Sequence, residues 1–264
     1  MNNNTMSTHI QISLSKPSSK RTTPTQLLEL TYSDTNKYEI GLDEVARGPL
    51  FGRLYVSAVV LPKDGSFDGT NVKDSKKFSS KTKIREVAEY IKQHALVWHI
   101  HYIENDVIDE INILQSVYNA MHECIRHCML KLNEIEKNDE LILDQPYYEN
   151  KYMMIVDGDS FKPYCIYNET TQTIEQIPHT TIEKGDSKYM AIAAASIIAK
   201  VEHDEYISKL CIQYPELNEK YKLNNNVGYG TKQHLDGIRE HGITQWHRKT
   251  YGPCKNAQLN YIQG

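Results

Sequence analysis

The alternating run Tyr38-Glu39-Ile40-Gly41-Leu42 leads straight into two adjacent carboxylates, Asp43 and Glu44. Alternation of this kind specifies a β-strand with one face against a core. A strand that ends on two acids cannot bury both as bare anions, because an unpaired buried carboxylate is heavily penalised. The acids must neutralise, pair with a base or bind a cation. The strand is expected to end at Asp43 and to deliver a charged site to the end of a sheet.

The rest of the chain supplies that sheet. Leu54 to Leu61 is almost continuously apolar, as a central strand should be. Gly48-Pro49 and Gly52 supply the turn chemistry between the two strands. Ser79 or Ser80 can cap a helix carrying Ile84, Val87, Ala88 and Ile91 at helical spacing. Leu96 to Ile103 returns to strand, and a long amphipathic helix is expected from about Ile113 to Leu132. Strand-like segments follow at Glu140 to Leu143 and Tyr152 to Val156, then a possible extra hairpin between Phe161 and Ile182. A helix from about Ser187 to Leu210 is apolar nearly all round in its first half and should be buried. A last helix starts at Thr231 and stops at Gly242, a residue suited to a left-handed cap. Strands alternating with helices mean the α/β class, and the early hairpin-like pair makes a mixed sheet the expectation.

Residues 1–36 read as a disordered polar tail, and residues 37–264 as one domain whose last part, from about 205, is helical. No apolar stretch approaches the length of a membrane span and no secretory apolar region is present, so a cytosolic or nuclear location is expected. The net charge of −4 argues against coating nucleic acid through bulk charge, although a local basic groove would suffice. Five scattered cysteines suggest free thiols. Cys124 and Cys128 share a helical apolar stripe with Val117, Met121 and Ile125, which favours a core role over zinc.

Two further acids stand in settings like that of Asp43 and Glu44. Asp157 follows Ile155-Val156, and Asp186 ends Lys184-Gly185-Asp186 just before the buried helix. Ligand sites gather at such sheet ends in α/β folds. Converging carboxylates there would hold Mg2+ or Mn2+ through hard oxygen ligands. Two such ions can activate water and stabilise the leaving oxygen of a phosphodiester. A competitor for the third acid exists: Leu141-Ile142-Leu143-Asp144 also reads as a strand ending in an acid. Its position after the long helix favours Asp144, whereas the following Gly158 favours Asp157, which is preferred.

In order, the motifs resemble the type 2 ribonuclease H family (ribonuclease HII) over most of residues 38–256. Gly41-Leu42-Asp43-Glu44-Val45-Ala46-Arg47-Gly48 is similar to the family's Gly-x-Asp-Glu-x-Gly-Arg-Gly, and Asp74-Ser75-Lys76-Lys77-Phe78 to its Asp-Ser-Lys-Lys-Leu. Val156-Asp157-Gly158, Lys184-Gly185-Asp186, the block Ala193 to Lys200, Gly228-Tyr229-Gly230-Thr231 and His247-Arg248-Lys249-Thr250-Tyr251 complete the series. The resemblance implies a ribonuclease H-like fold, with a mixed sheet flanked by helices and a C-terminal helical extension. It implies an endonuclease that hydrolyses the RNA strand of RNA/DNA hybrids and cuts at ribonucleotides embedded in duplex DNA, leaving 5′-phosphate and 3′-hydroxyl ends. Asp43, Glu44, Asp157 and Asp186 would be the catalytic metal ligands. Ala46, Arg47, Gly48 and Tyr229 would read the ribose 2′-hydroxyl, the group that separates RNA from DNA. Ser75, Lys76, Ser196 and Lys200 would contact phosphate.

The chain departs from the family pattern in places. Ala46 stands where glycine is usual, so a positive φ there would strain the backbone and bring a methyl group towards the 2′-hydroxyl contact. Val227 and His203 stand where basic residues are more common. His234 and His247 read as structural hydrogen-bonding histidines. Gln258-Leu259-Asn260-Tyr261-Ile262 only vaguely resembles a sliding-clamp motif, and a monomer is expected.

Overall fold

A computed structural model describes residues 28–137, 151–168 and 172–263. Five strands form the main sheet: β1 (Tyr38–Val45), β2 (Leu54–Val60), β3 (Val97–Ile103), β4 (Tyr152–Asp157) and β7 (His179–Ile182). Their spatial order is β3-β2-β1-β4-β7. The first three pair antiparallel, and β4 and β7 join in parallel. The mixed sheet expected from the sequence is present. A separate hairpin pairs β5 (Cys165–Asn168) with β6 (Thr173–Gln176), within the stretch expected to hold one.

Helices cover both faces. On one side α3 (Ile113–Lys137) packs Val117, Met121, Cys124, Ile125 and Cys128 against Ile40, Leu42, Leu54 and Val56. On the other, α1 (Lys81–His94) and α4 (Met190–Gln213) pack on Val59, Ile155 and Ile182. Ser80 caps α1 by accepting from the Lys83 amide. Helix α2 (Asn105–Ile111) leads into α3. A smaller third core joins the end of α4 to α5 (Pro215–Tyr221), α6 (Leu223–Asn226) and α7 (Lys232–His241) through Phe51, Ile207, Leu217, Tyr221 and Ile238. Thr231 caps α7, and Gly242 ends it with φ 72°. Among the described residues no helix is long and apolar enough to cross a membrane.

The structure departs from the sequence reading in several places. Strand β1 continues past Asp43 to Val45, because β2 goes on pairing with it as far as Val45 opposite Tyr55. The polar stretch expected to be loose up to residue 36 is anchored from Leu28 onward. Leu28 and Leu30 pack on the core, Glu29 bridges to Tyr189, and the buried Glu39 carboxylate accepts from the Tyr32 and Ser33 amides and from Lys63. The short apolar cluster and one buried acid outweigh the polar composition. Strand β7 was not foreseen, since four residues in a Thr-rich segment carry little periodic signal. The expected strand at Glu140 to Leu143, the rival Asp144 and residues 1–27 of the expected tail lie outside the described residues.

The seat of α4 rests on one missing side chain. A Cβ on Gly41 would lie 2.4 Å from the backbone carbon of Ala191, so the start of α4 rests directly on the β1 backbone. Only glycine permits this approach. Gly41→Ala should therefore lower stability by about 1–3 kcal/mol, the usual cost of overpacking, measured by denaturant unfolding.

Candidate active site at the ends of β1 and β4

Alternation along β1 sends Tyr38, Ile40 and Leu42 towards α3, and so Glu39, Gly41 and Asp43 towards α4. Strand β4 lies parallel to β1 with Leu42 opposite Val156. The same register puts Asp43 beside Asp157, on the same face of neighbouring strands. Strand β7 then pairs Ile182 with Asp157, and a 3₁₀ turn over Gly185–Ser187 carries Asp186 back to the start of α4. Gly185 is needed there: a Cβ would meet Ile192 at 2.6 Å and Asp157 Oδ1 at 3.2 Å. Its amide donates to Asp157 Oδ1 at 2.6 Å, locking turn to strand.

The four acids feel one another. Burial pushes Asp43 well above the usual carboxylate range, and the neighbouring charges of Glu44, Asp157 and Asp186 add to the rise. Glu44 is pushed up to about 7, chiefly by desolvation, against the pull of the Arg47 guanidinium 3.5 Å away. Asp157 is raised by burial and then by Asp186. Asp186 is buried and pairs with the Lys76 ammonium at 3.2 Å. Lys76 sits in a 3₁₀ turn, Ser75–Lys77, capped by Asp74. That turn is tied to α4 by the buried Ser75–Ser196 hydroxyl pair, 3.0 Å apart.

The donor set fits a hard divalent cation. All four groups are carboxylates, and crowded, desolvated carboxylates are what such an ion relieves. Among the described residues no three potential ligands already close into a metal-holding set. The Gly185 amide, the Lys76 ammonium and the Arg47 guanidinium engage Asp157, Asp186 and Glu44.

The other residues singled out in the sequence separate into two groups. Arg47, Gly48 and Tyr229 share the open face beside the acids. Tyr229 is 44% exposed, and a Cβ on Gly48 would lie 3.7 Å from its ring. Ala46 has φ 70°, the conformation that strains an alanine. It is only 2% exposed, so its methyl group is buried and does not line the open face. Ser75 and Ser196 are buried, and the Lys200 ammonium is held by both oxygens of Asp204 at 2.6 and 2.7 Å. His203 is fully buried and also binds Asp204. Val227 holds φ 44°, unusual for a β-branched residue.

His234 and His247 form a directional relay. The Thr244 amide donates to His247 Nδ1 at 2.9 Å, which leaves the His247 proton on Nε2. Nε2 donates to His234 Nε2 at 3.1 Å, so His234 keeps its proton on Nδ1 and donates it to the Tyr229 carbonyl at 3.0 Å. The hydrogen-bond pattern assigns both tautomers. It needs both rings neutral, and burial lowers the pKa of each. The sequence reading missed Arg248, whose guanidinium reaches the carbonyls of Ala46 and Arg47. Some 200 residues separate the partners, and only the motif order around His247-Arg248 hinted at a role.

The raised carboxyls make the stability of the metal-free fold fall as pH rises. Each binds its proton more tightly folded than unfolded, so the metal-free fold loses stability as pH rises from Glu44's ordinary 4.5 to about 7. Asp43→Asn should remove part of this repulsion and stabilise the metal-free protein by about 1–3 kcal/mol near neutral pH. Thermal melts in chelator across that range check it; a variant less stable than the parent at pH 7 contradicts the electrostatic account.

Comparison with known proteins places the chain in a family. The family model described as Ribonuclease HII matches residues 40–253. Ribonuclease HII of Bacteroides thetaiotaomicron is 37% identical over 231 residues, covering 88% of this chain and 98% of the relative. That of Parabacteroides distasonis is 36% identical over 222 residues, covering 84% and 94%. Among solved structures, ribonuclease H2 from Pyrococcus horikoshii superposes with TM-score 0.56 at 21% identity, covering 83% of this chain and 95% of that one. The ribonuclease HII in a complex with PCNA from Archaeoglobus fulgidus gives TM-score 0.56 at 22% identity, covering 81% and 95%. At those identities the structures speak to the fold, whereas the sequence matches carry the assignment: the chain belongs to the ribonuclease HII family, the type 2 ribonuclease H endonucleases.

Proposed function

We propose that Asp43, Glu44, Asp157 and Asp186 are the catalytic carboxylates. The chain would cut the RNA strand of RNA/DNA hybrids and cleave at single ribonucleotides embedded in duplex DNA. The observation that carries this reading is the β1–β4 register, which sets Asp43 beside Asp157 while the Gly185–Ser187 turn returns Asp186 to the same end of the sheet. Mg2+ or Mn2+ held there would supply an activated water and charge relief at the leaving 3′-oxygen, giving 5′-phosphate and 3′-hydroxyl products.

The chain's own groups do the rest. The exposed Lys76 ammonium pairs with Asp186 and can shift to a substrate phosphate beside it. Arg47 and Gly48 present backbone at the open face, and the Tyr229 ring offers a flat surface against the neighbouring sugar. Lys200, paired with Asp204, is partly exposed and would also suit a phosphate, whereas the buried Ser75–Ser196 pair ties the Lys76 turn to α4. A sliding-clamp contact of the kind in the Archaeoglobus fulgidus complex would need surface other than Ile262, which is buried and bonded to Gln245.

Asp43→Asn should lower turnover a hundredfold or more, since metal-based charge stabilisation is worth several kcal/mol. Binding of an RNA/DNA hybrid should stay close to wild type. Near-normal cleavage by this variant in Mg2+ or Mn2+ would sink the assignment. At the sugar-reading face, Tyr229→Phe should keep most cleavage of a duplex with one ribonucleotide, and Tyr229→Ala should lose roughly one to two orders of magnitude, because stacking is worth about 1–3 kcal/mol. Equal rates for wild type and Tyr229→Ala would remove Tyr229 from the reading.

A further inference from the structure

Arg248 is fully buried, the largest such side chain among the described residues. No carboxylate there accepts from it; the nearby Asp109 is engaged with the Lys249 and Thr250 amides. A buried cation without an anionic partner is costly and needs its donors satisfied. Backbone carbonyls satisfy them. Nε donates to Gly52 O at 3.0 Å, Nη1 to Arg47 O at 3.0 Å and Nη2 to Ala46 O at 2.8 Å. Nη1 also donates to the Tyr251 hydroxyl at 3.1 Å, and that hydroxyl donates to Arg47 O at 2.9 Å.

Peptide geometry turns these bonds into an outward consequence. Among the described residues no peptide bond is cis. In a planar trans peptide, the carbonyl of one residue and the N–H of the next point in opposite directions. With the Ala46 and Arg47 carbonyls drawn inward, the amides of Arg47 and Gly48 point out. Both residues are exposed, and among the described residues neither amide has a backbone acceptor. Two successive outward amides make a small concave donor pair that suits an incoming oxygen.

We infer that Arg248 is a positioning residue that aims the Arg47 and Gly48 amides at the ribose 2′-hydroxyl, assisted by Tyr251. This rests on the proposed reading of the Ala46–Gly48 face. The planar guanidinium is required because three carbonyls in different directions must be held from one side; an ammonium has donors at a single point and cannot span them.

The test compares affinity for a duplex containing one ribonucleotide with affinity for the same duplex made wholly of DNA. It is run in an Asp43→Asn background that suppresses turnover, and melting temperatures are measured alongside. Arg248→Lys should weaken the ribonucleotide duplex about tenfold, the loss expected for a charge-assisted hydrogen-bond array, and leave the all-DNA duplex within about twofold of the parent. Tyr251→Phe should give a smaller loss in the same direction. A general loss of folded protein lowers both affinities and leaves their ratio alone, so the ratio isolates positioning. Folded variants that keep the parent's ratio would overturn the role of Arg248. If Arg248→Lys does not fold, Tyr251→Phe decides alone, an unchanged ratio overturning the inference and a reduced one supporting it. A parent with no preference for the ribonucleotide duplex would overturn the reading of the face itself, together with the inference built on it.

Discussion

The parallel register between β1 and β4 is the constraint on which the site depends. It forces two carboxylates, Asp43 and Asp157, onto one face of adjacent strands that lie about 5 Å apart in any sheet. Nothing local would choose that arrangement. It persists because each strand is fixed from elsewhere: Leu42 and Val156 are locked into the core under α3, and Gly41 lets α4 rest on the sheet from the other side. The apolar core therefore holds in place the electrostatic tension of the acids, and Glu44 and Asp186 only add to it. Crowded, desolvated carboxylates of this kind are the groups whose repulsion a divalent cation would relieve.

Residues 247–251 control the open face from a distance in sequence. The Ala46–Gly48 turn and Tyr229 are surface features, yet each is secured by buried residues adjacent in sequence. His247 closes the relay to the Tyr229 carbonyl, and Arg248 gathers the carbonyls of the turn. The peptide between His247 and Arg248 thus connects both walls of the face. The third core, in which Phe51 packs with Tyr221, Ile238 and Cys254, keeps that peptide at a fixed distance from the sheet. The helical extension accordingly supports the candidate site mechanically as well as contributing Tyr229 to the open surface.

Much of this was legible in the sequence. Long periodic segments such as α3, and the all-apolar start of α4, could hardly form anything else. Asp43 and Asp157 stood out because each followed a strand-like run, and Asp186 because it sat at a turn before the buried helix. Four things could not be read. Strand β7 is too short to show a period and is specified by its partner β4. The anchoring of residues 28–36 depends on a buried Glu39 that looked like a solvent-facing position in an alternating strand. Arg248 stood in a motif, but what it does could not be read, because its partners are carbonyl groups, which every residue carries. The positive φ at Ala46 was foreseeable from the glycine-rich pattern, but the inward direction of its methyl group was not.

The neutral histidine relay has a consequence for the proton inventory of the whole molecule. His234 and His247 refuse protons when folded and accept them when unfolded, so they favour the folded state only while the pH stays above about 6.5, and that contribution fades below it. Asp43, Glu44 and Asp157 do the reverse, accepting protons more readily in the fold than out of it. In the metal-free chain the two sets therefore work against each other over the same mildly acidic range, and the dependence of stability on pH is blunted. A cation bound at the acids would cancel their half of the contest and leave the histidines unopposed. Metal would then set the pH at which the fold is most stable, moving that optimum towards neutrality.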